Sequence, residues 1–422
     1  MSQEYNNKPK SKNTFIKNAS ILASGSIIGQ LIVIVASPVL TRIYSIEDFG
    51  ILAVFTSTCT ILALFTTGRY ELAIVLPKST NKALKLIKLI SCIALAVSLF
   101  YLFTIFTLKE VLKINDPTSF LKHNSVYLAP LYIFAVALLS ALTYWYQRKK
   151  AYKTITTANA LTSIINTVIS LTLGFLMVSN GMIWGLVGSV ILVVIFYIAK
   201  EKNLPKNVFK EKNIIDVGKE YSSFPKYMII SDLSLNANQQ LTPILFSSLF
   251  GSIVVGHYSL ANKMLRLPNI IITNSIANVF RNDAIDEIRE YGNCKNLYIS
   301  TLKKLFVISF PVYLLIFIIS PFIFKIVFGS NWGLAGEFGQ IMSFYLFVEF
   351  MATPLNTLFY VRDKQKKIMI LQSINLLFSI TMLWLGALLF NNPKASIILY
   401  SVNAILFNFY LIHQSYQLAK ST

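Results

Sequence analysis

Apolar residues occur along this chain in long blocks, and short polar gaps separate the blocks. A helix that crosses the hydrocarbon core of a bilayer needs about 20 mostly apolar residues. Because most of the blocks reach this length, the pattern predicts twelve membrane-spanning helices. They occupy approximately residues 18–40, 48–68, 86–107, 125–146, 155–178, 181–199, 228–250, 253–280, 304–324, 338–360, 368–390 and 395–416.

The composition agrees with this pattern. Of the 422 residues, 55% are hydrophobic and only 13% are charged, whereas soluble domains are about 25% charged. The three cysteines are too few and too scattered for a disulfide framework or a zinc site. These values exclude a soluble enzyme, a nucleic-acid-binding domain and a secreted domain. They indicate an all-α membrane protein.

The basic residues predict the orientation. The chain has 38 Lys and Arg against 18 Asp and Glu, a net charge of +20. With the N-terminus inside, thirty of the basic residues fall in gaps on the cytoplasmic side, six on the outer side and two within the eighth span. Cytoplasmic loops are rich in Lys and Arg, so we expect both termini to be cytoplasmic. Attraction to the anionic inner leaflet accounts for the surplus charge, so it does not indicate a nucleic-acid partner.

The longest polar stretch, residues 200–226, divides the spans into six plus six. The first span follows a hydrophilic tail without a cleavage site of small residues, so we expect it to be retained rather than removed as a signal peptide. The predicted organisation is a cytoplasmic tail (1–17), an N-terminal six-helix lobe (18–199), a cytoplasmic linker (200–227), a C-terminal six-helix lobe (228–416) and a second tail (417–422).

Two sequence echoes suggest that the halves are repeats. The pattern Thr-x-x-Tyr-x-Arg-x-Lys-x-x-Lys starts at Thr143 after the fourth span and again at Thr357 after the tenth. Pro-Val-Leu and Gly50 in the first half are similarly matched by Pro-Ile-Leu and Gly256 in the second. Chance similarity between Lys-rich loops is the alternative. Parallel repeats of six spans are a transporter plan, with the substrate site between the halves.

Several polar residues lie at bilayer depth, where ionisable groups usually face a cavity or a partner. Lys263 and Arg266 are one turn apart in the eighth span, and Glu349 is in the tenth. A polar stripe in the seventh span contains Asp232, Asn236, Gln239, Gln240 and Pro243, and a second stripe in the fifth contains Asn159, Ser163, Asn166 and Ser170. We expect Pro243 to kink or break its helix.

These residues also have a purely structural interpretation. Arg69, Lys263 and Arg266 could pair with Glu71, Asp232 and Glu349, and the neutral stripes could join helices through hydrogen bonds of under about 1 kcal/mol each. Arg69 and Glu71 would then form a gate or an anchor near the inner end. We expect His257, at the outer mouth, and His413, near the inner end, to be solvated.

No catalytic motif stands out. The sequence has no P-loop, no GxSxG elbow and no cluster with metal-ligand spacing. The outer gaps are short, which argues against a membrane polymerase or glycosyltransferase with an extramembrane active site. We therefore expect a protein that is not an enzyme and needs no cofactor or metal.

Longer motifs point to a family. The run PVLTRIYSIEDFG (38–50), followed by RYELAIVLP (69–77), resembles the start of the Wzx-type O-antigen and capsule repeat-unit flippases. These belong to the multidrug/oligosaccharidyl-lipid/polysaccharide exporter superfamily. In the second half, QLTP (240–243), GHYSLANKMLRLP (256–268) and FGSNWGLAG (328–336) are similar to the corresponding family stretches.

This resemblance implies two six-helix lobes and alternating access in the bacterial inner membrane. The implied cargo is an undecaprenyl-pyrophosphate-linked oligosaccharide for lipopolysaccharide O-antigen or related surface polysaccharide. A polysaccharide polymerase and a chain-length regulator are candidate partners besides the lipids. The substrate-binding candidates are Lys263, Arg266, Asn236, Gln239, Gln240, Arg69 and Asn166. With transport driven by a proton or sodium gradient, the ion-coupling candidates are Asp232, Glu349 and Glu71.

Three other functions remain open. A drug/cation antiporter of the same superfamily would have an aromatic and acidic cavity. A polysaccharide polymerase would need a larger outer loop. A scaffolding membrane protein would gain nothing evident from ionisable residues at bilayer depth.

Overall fold

The computed structural model describes residues 12–113, 121 and 123–421, and these residues form helices and turns without a β-strand. The helices are α1 (Lys12–Ile43), α2 (Ile46–Thr67), α3 (Thr80–Phe106), α4 (Leu128–Arg148), α5 (Tyr152–Phe175), α6 (Gly181–Lys200), α7 (Leu204–Lys210), α8 (Ile214–Glu220), α9 (Ile229–Phe250), α10 (Ser252–Leu265), α11 (Asn274–Tyr291), α12 (Lys295–Phe328), α13 (Gly333–Leu355), α14 (Leu358–Val361), α15 (Gln365–Phe390) and α16 (Pro393–Lys420).

The predicted all-α membrane fold is confirmed. Each of the twelve predicted spans lies on helix, and nine helical segments of the described residues are long and apolar enough to cross a membrane. The spans predicted at 18–40, 228–250 and 253–280 lie on helices outside these nine. The helix at 229–250 falls short because it carries the polar stripe.

The eighth predicted span is not one continuous helix. Instead α10 ends at Leu265, and a π-helical turn at Asn269–Thr273 leads into α11. Pro268 causes the interruption because it has no backbone N–H to donate to the preceding turn. The seventh span behaves differently, since α9 continues through Pro243 without a break.

The helices form two compact units. Among the described residues, the first unit comprises 12–36, 65–99 and 130–225, and the second comprises the described parts of 37–64, 100–129 and 226–421. The chain passes into the second unit for the last time at residue 226, inside the predicted linker. The division into two six-helix lobes stays a prediction.

In the first unit, the predicted linker is folded onto the membrane helices. It contains α7 and α8. The hydroxyl of Tyr70 donates to the carbonyl of Gly218 at 3.0 Å, and Lys88 Nζ donates to the carbonyl of Phe209 at 2.9 Å. Burial raises the pKa of Tyr70, so its hydroxyl keeps the proton that this bond requires. The segment is therefore docked on the first unit rather than a loose tether.

In the second unit, the first turns of α2 and α10 cross in close contact through two glycines. A Cβ on Gly50 would lie 1.8 Å from the carbonyl oxygen of Ser252, and a Cβ on Gly256 would lie 2.0 Å from that of Ile46. The contact is reciprocal, because each glycine opposes the residue four positions before the other. Gly50 and Gly256 form one of the two sequence echoes, and both lie at this crossing of α2 and α10.

A neighbouring contact joins the turn after α1 to the turn after α12. Arg42 donates to the carbonyls of Ile326 and Val327 at the end of α12, at 3.3 and 2.9 Å. In return, Trp332 Nε1 donates to the carbonyl of Thr41, at the end of α1. Each segment thus satisfies free carbonyls at the C-terminus of the other helix.

His257 also belongs to this region, and the expectation that it is solvated is wrong. Its side chain is buried, and its ring packs edge-to-face on Trp332 at 5.5 Å between centroids. The indole also packs against Phe49, so it lies between two rings.

Candidate functional site

The candidate site lies in the second unit, around an ion pair between two membrane helices. Arg266 follows the last residue of α10 and keeps right-handed helical backbone angles, with φ −78° and ψ −9°. Its Nη1 and Nη2 donate to the two carboxylate oxygens of Glu349 on α13 at 2.6 and 3.2 Å. Its Nε donates to the side chain of Asn262 at 2.8 Å, so three bonds fix the guanidinium plane.

This ion pair forms part of the wall of a polar cavity of about 150 Å³. Helices α9, α10, α13, α15 and α16 contribute its residues, and these helices pack on one another within the second unit. The lining comprises Asn238, Gln239, Arg266, Tyr345, Glu349, Thr353, Asn356, Gln372, Asn375, Tyr400, Ala404, Phe407, Asn408 and Leu411. Arg266 and Glu349 are the charged residues in this lining, and their formal charges cancel.

A hydrogen-bond network holds the amides of one wall in place. Asn403 Nδ2 donates to Asn375 Oδ1 and to Ser379 Oγ, each at 3.0 Å. Asn238 Nδ2 donates to the same Ser379 hydroxyl at 3.3 Å. Because α9, α15 and α16 all take part, the network fixes the orientation of two lining amides, those of Asn238 and Asn375.

Two buried polar atoms of the lining residues have no hydrogen-bond partner among the residues that the structure describes. They are the hydroxyl of Tyr345 and the side-chain oxygen of Asn356. Tyr345 is only 1% exposed and packs edge-to-face on Tyr400. Buried polar groups nearly always have a partner, and exceptions often mark functional positions.

The seventh-span stripe contributes unequally to the site. Gln239 lines the cavity, whereas Gln240 is partly buried and outside the lining. Asn236 is exposed, and its amide bonds back to the carbonyl of Asp232 on its own helix. Lys263 is exposed, lies outside the cavity lining and forms no ion pair with any described residue.

Three candidates from the sequence belong to the first unit. Arg69 Nη1 pairs with Glu71 Oε1 at 3.0 Å, and the Glu71 side chain is only 3% exposed. The Arg69 backbone is left-handed, with φ 58°, at the turn that follows α2. Asn166 lies at a close contact of α5 with α6, where a Cβ on Gly185 would be 2.9 Å from its side-chain oxygen. For Asn166, packing between helices accounts for the observed position.

Sequence reasoning missed most of the neutral lining residues, notably Asn238, Tyr345, Asn356 and Asn375. Three of the four are amides within predicted spans, but a single amide does not show which face of its helix is turned to a cavity. Only the packing of five helices shows that they face one cavity.

The arrangement suits binding rather than bond-breaking chemistry. Amides and hydroxyls both donate and accept hydrogen bonds, so they can take over the hydration shell of a polar ligand. No group of three or more His, Cys, Asp or Glu side chains suited to a metal ion occurs in the described part of the chain.

Comparison with solved structures relates this architecture to transporters. The chain is similar to the lipid II flippase MurJ in an inward closed conformation, with a TM-score of 0.71 and 14% identity over 94% of this chain and 87% of that one. It is also similar to a multidrug resistance MATE family transporter of the MOP superfamily in an inward-facing conformation. There the TM-score is 0.69, with 13% identity over 94% and 99% of the two chains. The chain therefore has the fold of these transporters.

Sequence comparison identifies the family. A comparison with curated proteins gives no match. The profile of the family described as polysaccharide biosynthesis protein matches residues 39–337, well over half of the chain. That stretch includes the reciprocal glycine contact and Arg266. The chain belongs to the polysaccharide biosynthesis protein family.

Proposed function

We propose that this protein is a flippase for undecaprenyl-pyrophosphate-linked oligosaccharide repeat units. It moves them from the cytoplasmic to the outer leaflet of the bacterial inner membrane, for lipopolysaccharide O-antigen or a related surface polysaccharide. The observation that carries the proposal is a polar cavity with a built-in ion pair inside membrane helices of a polysaccharide biosynthesis protein. Such a cavity can hold one sugar residue of the polar headgroup while the lipid tail stays in the bilayer. The fold shared with MurJ, whose name states lipid II as its cargo, supports the same class of substrate.

Transport proceeds by alternating access and changes no covalent bond. Lys263 is the candidate for the pyrophosphate, because it is an exposed residue and has no carboxylate partner among the described residues. Arg266 can bind the same anion only if the anion competes with Glu349. Gln239 contributes from the cavity wall. Asn236, Gln240, Asn166 and Arg69 are secondary candidates for substrate contacts.

Glu349 is the best placed of the ion-coupling candidates. Glu349 is the one carboxylate in the described cavity lining, and a substrate hydroxyl that bonds Arg266 competes with the ion pair between Arg266 and Glu349. Substrate binding and ion uptake would then be linked. Asp232 and Glu71 are the alternatives. We expect Glu349→Gln to slow transport while the protein remains in the membrane, and wild-type transport by both Glu349→Gln and Asp232→Asn would contradict this coupling role.

Deletion of the gene in its host tests the main proposal. The readouts are the surface polysaccharide and the leaflet location of the lipid-linked oligosaccharide pool. Loss of polysaccharide with single repeat units trapped on the inner leaflet is the expected result. Accumulation on the outer leaflet would instead indicate a polymerase, and the two outcomes are mutually exclusive.

A drug/cation antiporter is the second candidate function. The likeness to MATE transporters and the cancelled charge of the cavity favour it. Intact polysaccharide together with new drug sensitivity after deletion would support this function and overturn the flippase proposal.

A further inference from the structure

The cavity beside Arg266 has the size of one six-membered ring. Its volume is about 150 Å³. An engineered apolar cavity of about this volume holds one benzene molecule. A pyranose ring has the same number of ring atoms and carries hydroxyl groups on most of them. The space therefore admits a single sugar residue, and the rest of an oligosaccharide would lie outside it.

The chemistry of the wall selects a neutral, hydroxyl-rich ligand. The lining supplies amides from α9, α13, α15 and α16, and its two charged groups neutralise each other. A diphosphate would bring uncompensated negative charge into this wall. Hydroxyls suit it better, because amides can donate to and accept from them at once. A guanidinium N–H and a carboxylate oxygen of the fixed ion pair can also form hydrogen bonds with two neighbouring hydroxyls of one sugar ring.

The unpartnered atoms give an independent indication of a ligand. The hydroxyl of Tyr345 is buried, lies in a lining residue and has no hydrogen-bond partner. The side-chain oxygen of Asn356 is in the same condition. One is a donor and acceptor and the other is an acceptor, which matches the two roles that a sugar hydroxyl can play.

We propose that this cavity is a subsite for one neutral pyranose residue of the transported molecule, and that the pyrophosphate binds elsewhere. The inference deepens the proposed function and rests on it. Lys263 lies three residues before Arg266, is exposed and does not line the cavity. The sugar and the anion are therefore recognised by different residues of α10 and its C-terminal end.

Binding of simple glycosides to the purified full-length protein in lipid nanodiscs tests the subsite. The probes are the methyl glycosides of glucose, galactose, N-acetylglucosamine and rhamnose, with inorganic pyrophosphate as the anionic comparison. Saturation-transfer difference NMR measures each dissociation constant. We expect at least one glycoside to bind saturably, and we expect pyrophosphate not to displace it. Absence of saturable binding by all four, or displacement by pyrophosphate, would overturn the subsite.

Two tyrosine variants separate a binding role from a structural role. Tyr345→Phe removes an unpartnered hydroxyl, so it should weaken glycoside binding about three- to tenfold, the value of one hydrogen bond, and leave the unfolding temperature unchanged or raised. Tyr298 is the matched control. Its hydroxyl is bonded to the carbonyl of Ile412 and to Ser415 outside the cavity. Tyr298→Phe should lower the unfolding temperature and leave glycoside binding unchanged, and equal binding by both variants would overturn the proposal.

Flipping of a lipid-linked oligosaccharide by the reconstituted protein distinguishes the two proposals. If the wild type flips the lipid and binds no glycoside, the flippase proposal stands and the subsite is wrong. If it binds a glycoside with the predicted Tyr345 dependence and flips no lipid-linked oligosaccharide, the sugar site stands and the flippase proposal is wrong.

Discussion

The pair of Arg266 and Glu349 shows how two ionisable side chains can be accommodated between membrane helices. Both lie between helices, and their side chains keep 15% and 22% exposure. An ion pair removed from water contributes little net stability, but removing one partner strands a charge. The two charges therefore depend on each other, and the pair keeps a charged group available at the cavity.

The two single neutralisations should differ in their effect on stability. Glu349→Gln strands a guanidinium, which cannot lose its proton, whereas Arg266→Gln strands a carboxylate, which can gain one. We expect Glu349→Gln to lower the free energy of unfolding by about 1–3 kcal/mol, less than the 3–5 of a fully buried pair because both side chains are partly exposed. Arg266→Gln should cost less. Thermal unfolding of the two purified variants measures both changes.

The exposed pair of Lys394 and Glu337 is the control, since its side chains are 46% and 41% exposed. Glu337→Gln should change the unfolding free energy by at most about 1 kcal/mol. The double variant of Arg266 and Glu349 should be more stable than Glu349→Gln alone. A double variant that is the sum of the two singles would show that the residues are not coupled.

The sequence predicted these charged residues because ionisable side chains in apolar blocks are conspicuous. It did not predict their pairing, which depends on how α10 and α13 pack. It also did not predict Asn356 or Tyr345, since a single amide or tyrosine in a helix reveals nothing about which face is turned to a cavity. For this site, the charged residues could be predicted from the sequence. The neutral residues that line the same cavity could not.

At the scale of elements, the contact of α2 with α10 depends on the absence of two side chains. Gly50→Ala would place a Cβ 1.8 Å from the backbone oxygen of Ser252, and a backbone atom cannot turn aside. We expect Gly50→Ala or Gly256→Ala to lower the unfolding free energy by about 1–3 kcal/mol, as overpacking does. Denaturation in detergent, followed by tryptophan fluorescence, measures the change.

Gly188→Ala is the matched control for these substitutions. The nearest atom to its new Cβ would be Ile169 Cδ1 at 3.1 Å, the end of a flexible side chain. Alanine is also about 0.5–1 kcal/mol better than glycine within a helix, so this variant should be neutral or stabilised. Equal losses in all three variants would contradict the proposed tight crossing.

Arg148 and Arg362, the arginines of the repeated sequence pattern, make similar hydrogen bonds in the two units. Arg148 donates to the carbonyls of Ile74 and Lys78, in the turn that follows α2. Arg362 donates to the carbonyl of Gly292, in the turn that follows α11, and to that of Ser421. Arg148 thus follows the fourth predicted span and bonds the turn after the second. Arg362 follows the tenth predicted span and bonds the turn after the eighth. This equivalence of position and partner supports the interpretation of the halves as repeats.

Loss of either arginine should loosen one turn and leave the other unchanged. Bonds from charged groups contribute about 1.5–3 kcal/mol each when they are protected from water, and less when exposed. We expect Arg148→Ala to increase amide hydrogen exchange at 70–78, and Arg362→Ala to do so at 292–295. Lys153→Ala, from the same sequence pattern but exposed, should change neither. Exchange that rises equally in both turns would contradict a local role.

The helices themselves were predictable, since blocks of about 20 apolar residues have few other stable forms in a bilayer. The main difference lies at the eighth span, where the apolar run does not reveal that α10 ends at Leu265 before the π-helical turn at Asn269–Thr273. The hydrophobic pattern depends only on which residues are apolar. A helix, in contrast, is interrupted where a proline supplies no backbone N–H. The interruption matters because it places Arg266 at a helix end, where its guanidinium reaches Glu349 on α13.

At the scale of the whole molecule, the distribution of basic residues fixes the expected orientation. Thirty of the 38 Lys and Arg fall on the side predicted to be cytoplasmic. In the opposite orientation these thirty basic residues would have to cross the membrane during insertion, and they would lose their attraction to the anionic inner leaflet. Folding of the 200–226 segment onto the first unit adds polar backbone that would also have to cross.

Two exposed positions test this orientation. Met177, between α5 and α6, is 93% exposed, and Phe209, at the end of α7, is 78% exposed. In a background without the three native cysteines, we expect Met177→Cys to react with a membrane-impermeant maleimide in intact spheroplasts. Phe209→Cys should react only after permeabilisation, because α7 lies among seven lysines on the side predicted to be cytoplasmic. The reverse labelling pattern would show that the protein has the opposite orientation in the membrane. The proposed direction of headgroup transport would then have to be reversed as well.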